Sequence, residues 1–374
     1  MKVLLTAHRF WPHVGGTEEV VERLAQQHVE AGHDVTVATM QEDGTPLEET
    51  RDGYQIRRFA MRRVGGFRVP PLWAYARFVM SKRWDIVHLH GQRIWSTDYL
   101  YPVMARIRAP VVFTAHGFYQ WHMEARPVLD ETYYKRVLPS ALRHVDAIIA
   151  LTSLERDELV SWGVSPDKIR VIPDGFHSDE DVATGADGAR FRADHDIAPD
   201  RPLLLYVGGF YTNKRVDRLV RAAAHAGATL VVVGRDAHVK HGRAECEALA
   251  TELGADVRFV GRIARRDVLA AYAAADVFVL GSDFEGFGLV LLEAMRAGLP
   301  FVAMRAGAAP DLAETGAGIA CADEPAFFGA IKALLGDPAR RATMAQHGRA
   351  GLAPFTWQAV ARRHHALYEE IARQ

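Results

Sequence analysis

Apolar runs of strand length alternate with amphipathic stretches of helix length along almost the whole chain; the pattern stops once, near the middle, and then begins again. Strand, helix, strand is what a parallel sheet demands, because parallel neighbours need a crossover between them. In the first half, Val3 to Ala7, Val35 to Thr39, Ile86 to Leu89, Val111 to Thr114, Ala147 to Leu151 and Ile169 to Ile172 predict strands, with a clear helix over Glu18 to Ala31. Residues 174–200 are rich in Asp, Gly and Ala and keep no apolar period, which marks an interdomain linker. Leu203 to Val207, Leu230 to Val233, Val257 to Val260, Val277 to Leu280 and Phe301 to Ala303 then restart the alternation. The expected fold is α/β, with two Rossmann-like doubly wound domains over 1–173 and 201–354 and a C-terminal helix over 355–374. Ligands of such sheets bind beyond the carboxyl ends of the strands, so two facing domains with a cleft between them are expected.

Composition excludes several classes. A chain of 374 residues, 49% hydrophobic and 24% charged, is long enough for two ordinary cores. A formal net charge of −1 argues against a bulk nucleic-acid binder. Only Cys246 and Cys321 occur, too few for a disulfide framework, and a reducing cytoplasm is the expected location. The apolar start Met1 to Ala7 is cut short by His8 and Arg9 and reads as a first strand, not as a signal peptide or membrane span.

The ends of the predicted strands carry the chemistry. After Val277 to Leu280 comes the run Ser282 to Met295, which places Glu285 and Glu293 eight positions apart across a strand-to-helix turn. Gly286 and Gly288 let a ligand approach the backbone, and the free N–H groups of a helix starting there suit a phosphate. Carboxylates on either side would take sugar and ribose hydroxyls, both opening on one mouth of the sheet. A dinucleotide fingerprint fails here, since Leu291 stands where the third glycine belongs. After Leu203 to Val207, the stretch Gly208-Gly209-Phe210-Tyr211-Thr212-Asn213-Lys214-Arg215 offers two glycines and two cations, again suited to a diphosphate. In the first half, Gly15-Gly16 follows the first strand, with Thr17 a candidate helix cap. His88-Leu89-His90-Gly91 and Thr114-Ala115-His116-Gly117 end two further strands. These histidines lack the spacing of a metal site and suit hydrogen bonding to a sugar or phosphate.

Together these segments resemble the retaining glycosyltransferases of family GT4, which have the two-domain GT-B fold. The resemblance runs from Gly15-Gly16 through His116-Gly117, Arg170-Val171-Ile172-Pro173-Asp174-Gly175 and Lys214 to the E-x7-E pair Glu285/Glu293. It implies that Glu293 holds ribose hydroxyls and Glu285 the donor sugar, that Phe287, Gly288 and Leu289 give backbone contacts, and that Lys214 neutralises the diphosphate. It further implies that the Gly15-Gly16 loop closes on donor or acceptor, that His116 lies beside the sugar, that the last helix crosses back to the first domain, and that no metal or other cofactor is needed. The chain departs from the pattern at Gly208-Gly209, where the family usually carries Gly-Arg, and Arg215 is the expected substitute cation. Asp283-Phe284-Glu285, a metal-like acidic triplet, is expected only to lead into Glu285.

The implied partners are a nucleoside diphosphate sugar and a hydroxyl-bearing acceptor, on a glycolipid, a polysaccharide or a small molecule. Arg57, Arg58, Arg62, Arg63, Arg68, Arg77, Lys82 and Arg83 occur among Phe59, Phe67, Trp73, Tyr75, Phe78 and Trp84 with no acidic residue between, a composition that suits either an anionic membrane surface or a solvated lobe with a buried aromatic core. The aromatics Phe118-Tyr119-Gln120-Trp121-His122 suit stacking against a soluble acceptor. Two further readings are a sugar-nucleotide 2-epimerase and a catalytically silent nucleotide-sugar-binding protein, the latter motivated by Gly209.

Overall fold

The apolar runs become the inner strands of two parallel sheets. The computed structural model describes the chain except at residues 14, 65, 66, 70, 119–130, 177–181, 237–241 and 374, with backbone alone at 62–64 and 67–69. It divides into one unit of Met1–Gly175 with Thr356–Gln374 and a second of Phe176–Phe355.

In the first unit, β1 (Lys2–Thr6), β2 (Asp34–Met40), β3 (Glu48–Arg51), β4 (Tyr54–Phe59), β7 (Ile86–His90), β8 (Val111–Thr114), β9 (Ala147–Ala150) and β10 (Ile169–Val171) form a sheet in the order β10-β9-β8-β7-β1-β2-β4-β3, while β5 (Arg62–Val64) and β6 (Phe67–Val69) pair separately. All neighbours in the large sheet are parallel except β3 and β4. Val3, Leu4 and Leu5 are fully buried, as a strand covered on both faces requires. The edge strand β3 is Glu-Glu-Thr-Arg and carries no apolar signal, so a reading of hydrophobic runs passes over it.

The second sheet contains β11 (Leu203–Val207), β12 (Thr229–Val233), β13 (Val257–Gly261), β14 (Val277–Leu280), β15 (Phe301–Met304) and β16 (Gly318–Cys321), in the order β13-β12-β11-β14-β15-β16 and parallel throughout. Strand order reverses between β1 and β7 in the first unit and between β11 and β14 in the second. These switch points are where such sheets open a crevice for ligand.

The expected linker needs correction. Within 174–200 a helix, Gly185–Asp194, belongs to the second unit and is opened by a capping box between Thr184 and Asp187. It is held by one buried aromatic, Phe191, by Gly188, where a Cβ would lie 2.6 Å from the Ala273 carbonyl of helix Arg265–Ala274, and by Arg192, whose Nε donates to the Ala274 carbonyl at 2.8 Å. A seam whose apolar part is one ring and one glycine leaves no apolar period to read. Thr17 is also not a cap: helix Gly16–Glu30 starts from Gly15, whose carbonyl accepts the Glu19 N–H, so Thr17 lies in the first turn. The last helix, Trp357–Ala372, is capped by Thr356 and packs on Gly16–Glu30 in the first unit, where Trp357 covers Gly175 and Arg363 donates to the Val171 carbonyl.

Candidate functional site

At the switch point of the second unit, the loops after β11 and β14 are stitched together by their backbones. The Asp283 N–H donates to the Asn213 carbonyl (2.8 Å), and the Asn213 side chain donates to the Phe284 carbonyl (3.0 Å). This brings Lys214 to Glu285, with Nζ donating to Oε2 at 2.6 Å, while the Ser282 hydroxyl donates to Oε1 at 2.6 Å. Glu285 is buried and Lys214 partly open. Gly307, in the left-handed region at φ +54°, makes room for this carboxylate: a Cβ there would lie 2.6 Å from both Glu285 Cβ and the Phe287 carbonyl oxygen.

Gly288, at φ +95°, precedes helix Leu289–Ala297, and no side chain caps that helix. Its first amides are therefore available to an anion. The Phe287 ring is buried and its carbonyl accepts the Ala308 N–H, so it meets a ligand only through backbone. Glu293, one helical turn beyond Leu289, is held apart from the Lys214 pair: Tyr272 Oη donates to Oε2 at 2.8 Å and Arg265 pairs with Oε1 at 2.7 Å.

Gly208 and Gly209 follow β11 directly. A Cβ at Gly209 would lie 2.6 Å from the Tyr211 ring, so Tyr211 fills the space a side chain there would use. Arg215 lies one residue beyond Lys214. It opens helix Val216–Ala226 at φ 48°, and its guanidinium is committed to carboxylates, through Nε and Nη2 to Asp217 (3.0 Å each) and Nη1 to Asp283 (3.1 Å). Those bonds, led by Asp217, push its pKa up further. Asp283 also accepts from Arg218 at 2.8 Å, which makes it a brace between cations. Among the described residues no group of three or more His, Cys, Asp or Glu side chains is arranged around a common metal position.

In the first unit the switch point gathers Gly15-Gly16 after β1, His90 at the end of β7 and His116 just beyond β8. His116 is a non-glycine residue at φ 60°, followed by Gly117 at φ 88°. The turn is pinned from below, where Glu155 accepts the Gly117 N–H (3.0 Å) and the Leu151 N–H (2.6 Å). Burial raises the Glu155 pKa to about 7, and burial, then Glu155 and Glu19, do the same to Asp174. His116 Nε2 meets His90 Nδ1 at 2.8 Å. Behind them lie His88, His28 and His364, all buried, and burial leads the causes that hold these histidines below the usual range, His116 at about 3 and His364 at about 4.

Sequence reasoning missed the supporting groups: Ser282 and Asn213 in the second unit, Tyr272 and Arg265 on Glu293, and Glu155 under His116. Thr152-x-x-Glu155 is a capping signature that flags Glu155, but its carboxylate turns to Leu151 and Gly117 instead of to the cap residue. Phe118 is fully buried against Tyr134 and Trp162, not an acceptor wall, and 119–122 lie outside the described residues. In the basic lobe, Arg58 is buried on Glu49, and Phe59, Tyr75, Phe78 and Trp84 pack in the core, while Leu72 and Trp73 stay exposed at 42% and 75%. The side chains of Arg62, Arg63, Phe67 and Arg68 lie outside the described residues. No helix among the described residues is long and apolar enough to cross a membrane.

Residues 14–180 match the family model Glycosyltransferase Family 4, and residues 187–351 match Glycosyl transferases group 1. The chain is 30% identical to a D-inositol 3-phosphate glycosyltransferase of Kineococcus radiotolerans, over 93% of this chain and 88% of that one. It is 28% identical to a GDP-mannose:cellobiosyl-diphosphopolyprenol alpha-mannosyltransferase of Xanthomonas oryzae pv. oryzae, over 80% and 77%. Among solved structures it is similar to a sucrose-phosphate synthase from Thermosynechococcus elongatus, with a TM-score of 0.80, 25% identity and coverage of 99% and 98%. Anabaena Alr3699/HepE in complex with UDP and glucose gives a TM-score of 0.74 at 22% identity, over 99% and 100%. The two doubly wound units are those of GT-B glycosyltransferases.

Proposed function

The chain belongs to glycosyltransferase family 4, and on that premise we propose that it moves a sugar from a nucleoside diphosphate to a hydroxyl acceptor with retention at the anomeric carbon. The observation that carries this reading is the Lys214–Glu285–Ser282 set at the switch point of the second sheet, beside the uncapped start of helix 289–297. A diphosphate needs fixed positive charge and open amides, and a sugar needs a carboxylate held in place.

The barrier is charge separation, as the sugar becomes cationic while the diphosphate leaves as an anion. Lys214 and the amides at the start of helix 289–297 take that developing charge. Ser282 keeps Glu285 in place when Lys214 shares its protons with a phosphate, so Glu285 continues to receive sugar hydroxyls. Glu293, freed from Arg265 or sharing it, binds the ribose, and His116 serves the donor sugar. The sugar–oxygen bond to the diphosphate breaks, a bond to the acceptor oxygen forms on the same face, and the acceptor proton passes to the leaving phosphate oxygen. The Lys214–Glu285 pair favours this over the silent-binder reading, because it keeps a cation in the grip that Gly209 lacks. The two relatives described above are transferases by name, which does not favour the epimerase reading.

The test is calorimetry with UDP, GDP and ADP sugars, followed by NMR of the anomeric configuration of the product. Binding of one donor and a product of unchanged configuration is expected. No binding of any donor, or an inverted product, refutes the reading. Exposed Trp73 and Leu72 beside Arg77 on helix Leu72–Val79 support a second contact, with an anionic membrane surface. Co-sedimentation with acidic vesicles at low salt, lost in Trp73→Ser, is the expected result; absence of wild-type binding ends that idea.

A further inference from the structure

We infer that His90 is a positioning residue that holds His116 as a neutral hydrogen-bond donor with its proton on Nδ1, so that His116 gives a hydrogen bond to a donor-sugar oxygen and does not act as a base. The tautomer follows from the free protein; the role toward a sugar rests on the function proposed above.

His90 is fully buried at the end of β7 and is fixed at every side the structure records. Its N–H donates to the Thr6 hydroxyl (3.3 Å), its carbonyl accepts from the Thr97 hydroxyl (3.5 Å), and its ring centroid lies 3.9 Å from that of His88. His88 is itself locked, with Nδ1 on Tyr368 Oη (2.7 Å) and Nε2 on Thr114 Oγ1 (2.8 Å). The His90 ring therefore has one polar outlet, its Nδ1 contact of 2.8 Å with His116 Nε2, and its own Nε2 is buried without a hydrogen-bond partner.

Three proton arrangements satisfy that contact. A shared imidazolium places a charge in a pocket walled by other uncharged imidazoles, which burial disfavours. If His116 donates from Nε2, then His90 must carry its proton on Nε2, where it becomes a buried N–H with no acceptor. If His90 donates from Nδ1, the orphan at Nε2 is only a lone pair. Orphaned buried N–H groups are rarer and costlier than under-used acceptors, so the last arrangement is favoured. His116 Nε2 is then occupied as an acceptor and its remaining ring nitrogen, Nδ1, is an N–H. The ring is held by its bond to His90 and by stacking on that ring at 5.1 Å, on a turn with His116 at φ 60° and the next amide tied to Glu155, so the direction of that N–H is fixed. A ring in this state has no lone pair to take a proton from an acceptor hydroxyl. It offers one oriented donor, which agrees with a same-face reaction in which the departing phosphate takes that proton.

The experiment reads the tautomer directly on the whole protein without ligand. Long-range ¹H–¹⁵N correlation of ¹⁵N-histidine protein, with the His116 signals assigned by their loss in His116→Gln, is expected to show Nδ1 protonated and Nε2 not, at pH 7. A protonated Nε2, or an imidazolium, overturns the inference without any variant of His90 having to fold. His90→Leu should release the ring into mixed tautomers and lower kcat about tenfold with the donor KM within about twofold. His90→Asn, whose amide N–H falls where Nδ1–H stood, should restore both the single tautomer and most of kcat. An unchanged tautomer in His90→Leu, or equal kinetic losses in Leu and Asn, also overturns it. Failure of the wild type to bind any nucleoside diphosphate sugar refutes the proposed function instead, and leaves the tautomer result standing.

Discussion

His364→Leu should make the first unit less sensitive to acid, by an amount that the structure sets. His364 lies on helix 357–372, buried to 4% exposure, with Nδ1 on the Val360 carbonyl at 2.9 Å and the rings of His88 and His28 at 5.8 and 6.4 Å. Burial first, and then His365 and Arg363, hold its pKa at about 4 despite the bond to Val360. An unfolded histidine titrates near 6.5, so between about pH 6.5 and 4 the unfolded chain binds a proton that the folded chain refuses. Stability attached to this group is full above pH 6.5 and falls as the pH drops through that window. At pH 5 the difference is about 1.5 pH units of linkage, or about 2 kcal/mol. His28, His88, His90 and His116 act in the same direction. Glu155 and Asp174 act oppositely: raised to about 7, they take up protons in the folded state first, so acid stabilises through them. The total pH profile is therefore a sum of opposing parts, and the wild type must be compared with the variant at two pH values. All seven tryptophans, at 11, 73, 84, 95, 121, 162 and 357, fall in the first unit, so tryptophan fluorescence in urea reports that unit alone. Between pH 7 and pH 5 the variant should gain about 2 kcal/mol on the wild type. A gap that stays constant with pH would refute the assignment of His364 as a buried neutral group.

Lys214→Met should weaken nucleoside diphosphate binding by about one to two orders of magnitude, the range of a charge-assisted phosphate contact, while nucleoside binding measured by the same calorimetry stays unchanged. Arg215→Ala should leave that affinity within about twofold and lower the melting temperature of the second unit by a few degrees, since its partners are Asp217 and Asp283 and not a ligand; a loss of affinity equal to that of Lys214→Met would return Arg215 to the diphosphate. Gly307→Ala should cost about 1–2 kcal/mol for the left-handed backbone alone and also reduce donor-sugar affinity, because the new Cβ falls 2.6 Å from that of Glu285; retained affinity in calorimetry would show that Glu285 does not need its present position.

What the sequence made legible was what repeats or what is chemically unusual. Buried parallel strands are near-continuous apolar runs, so β1, β11 and β14 stood out, and the carboxylates and cation that matter most, Glu285, Glu293 and Lys214, lie just beyond two of them. What the sequence did not show has one physical character in common: it is set by partners distant in sequence. Arg215 looks identical to Lys214 in a sequence, but one residue further on the chain turns left-handed and points its guanidinium at Asp283, sixty-eight positions away. Helix Gly185–Asp194 is invisible because it is held by Gly188 against the Ala273 backbone, a contact that needs an absent side chain. His90 reads as one more histidine before a glycine until β7 and β8 pair in register, His90 opposite Thr114, which carries His90 and His116 to within a hydrogen bond. His88 and His90, two apart on β7, share one face of the strand so that their rings meet, and the last helix, from the other end of the chain, closes the pocket with His364 and Tyr368. A neutral, oriented histidine at the ligand end of the sheet is therefore a property of strand pairing plus a returning helix, and each imidazole added behind it makes a charge on His116 harder to hold. That is why the pH dependence of this unit and the proton state of His116 stand or fall on the same packing.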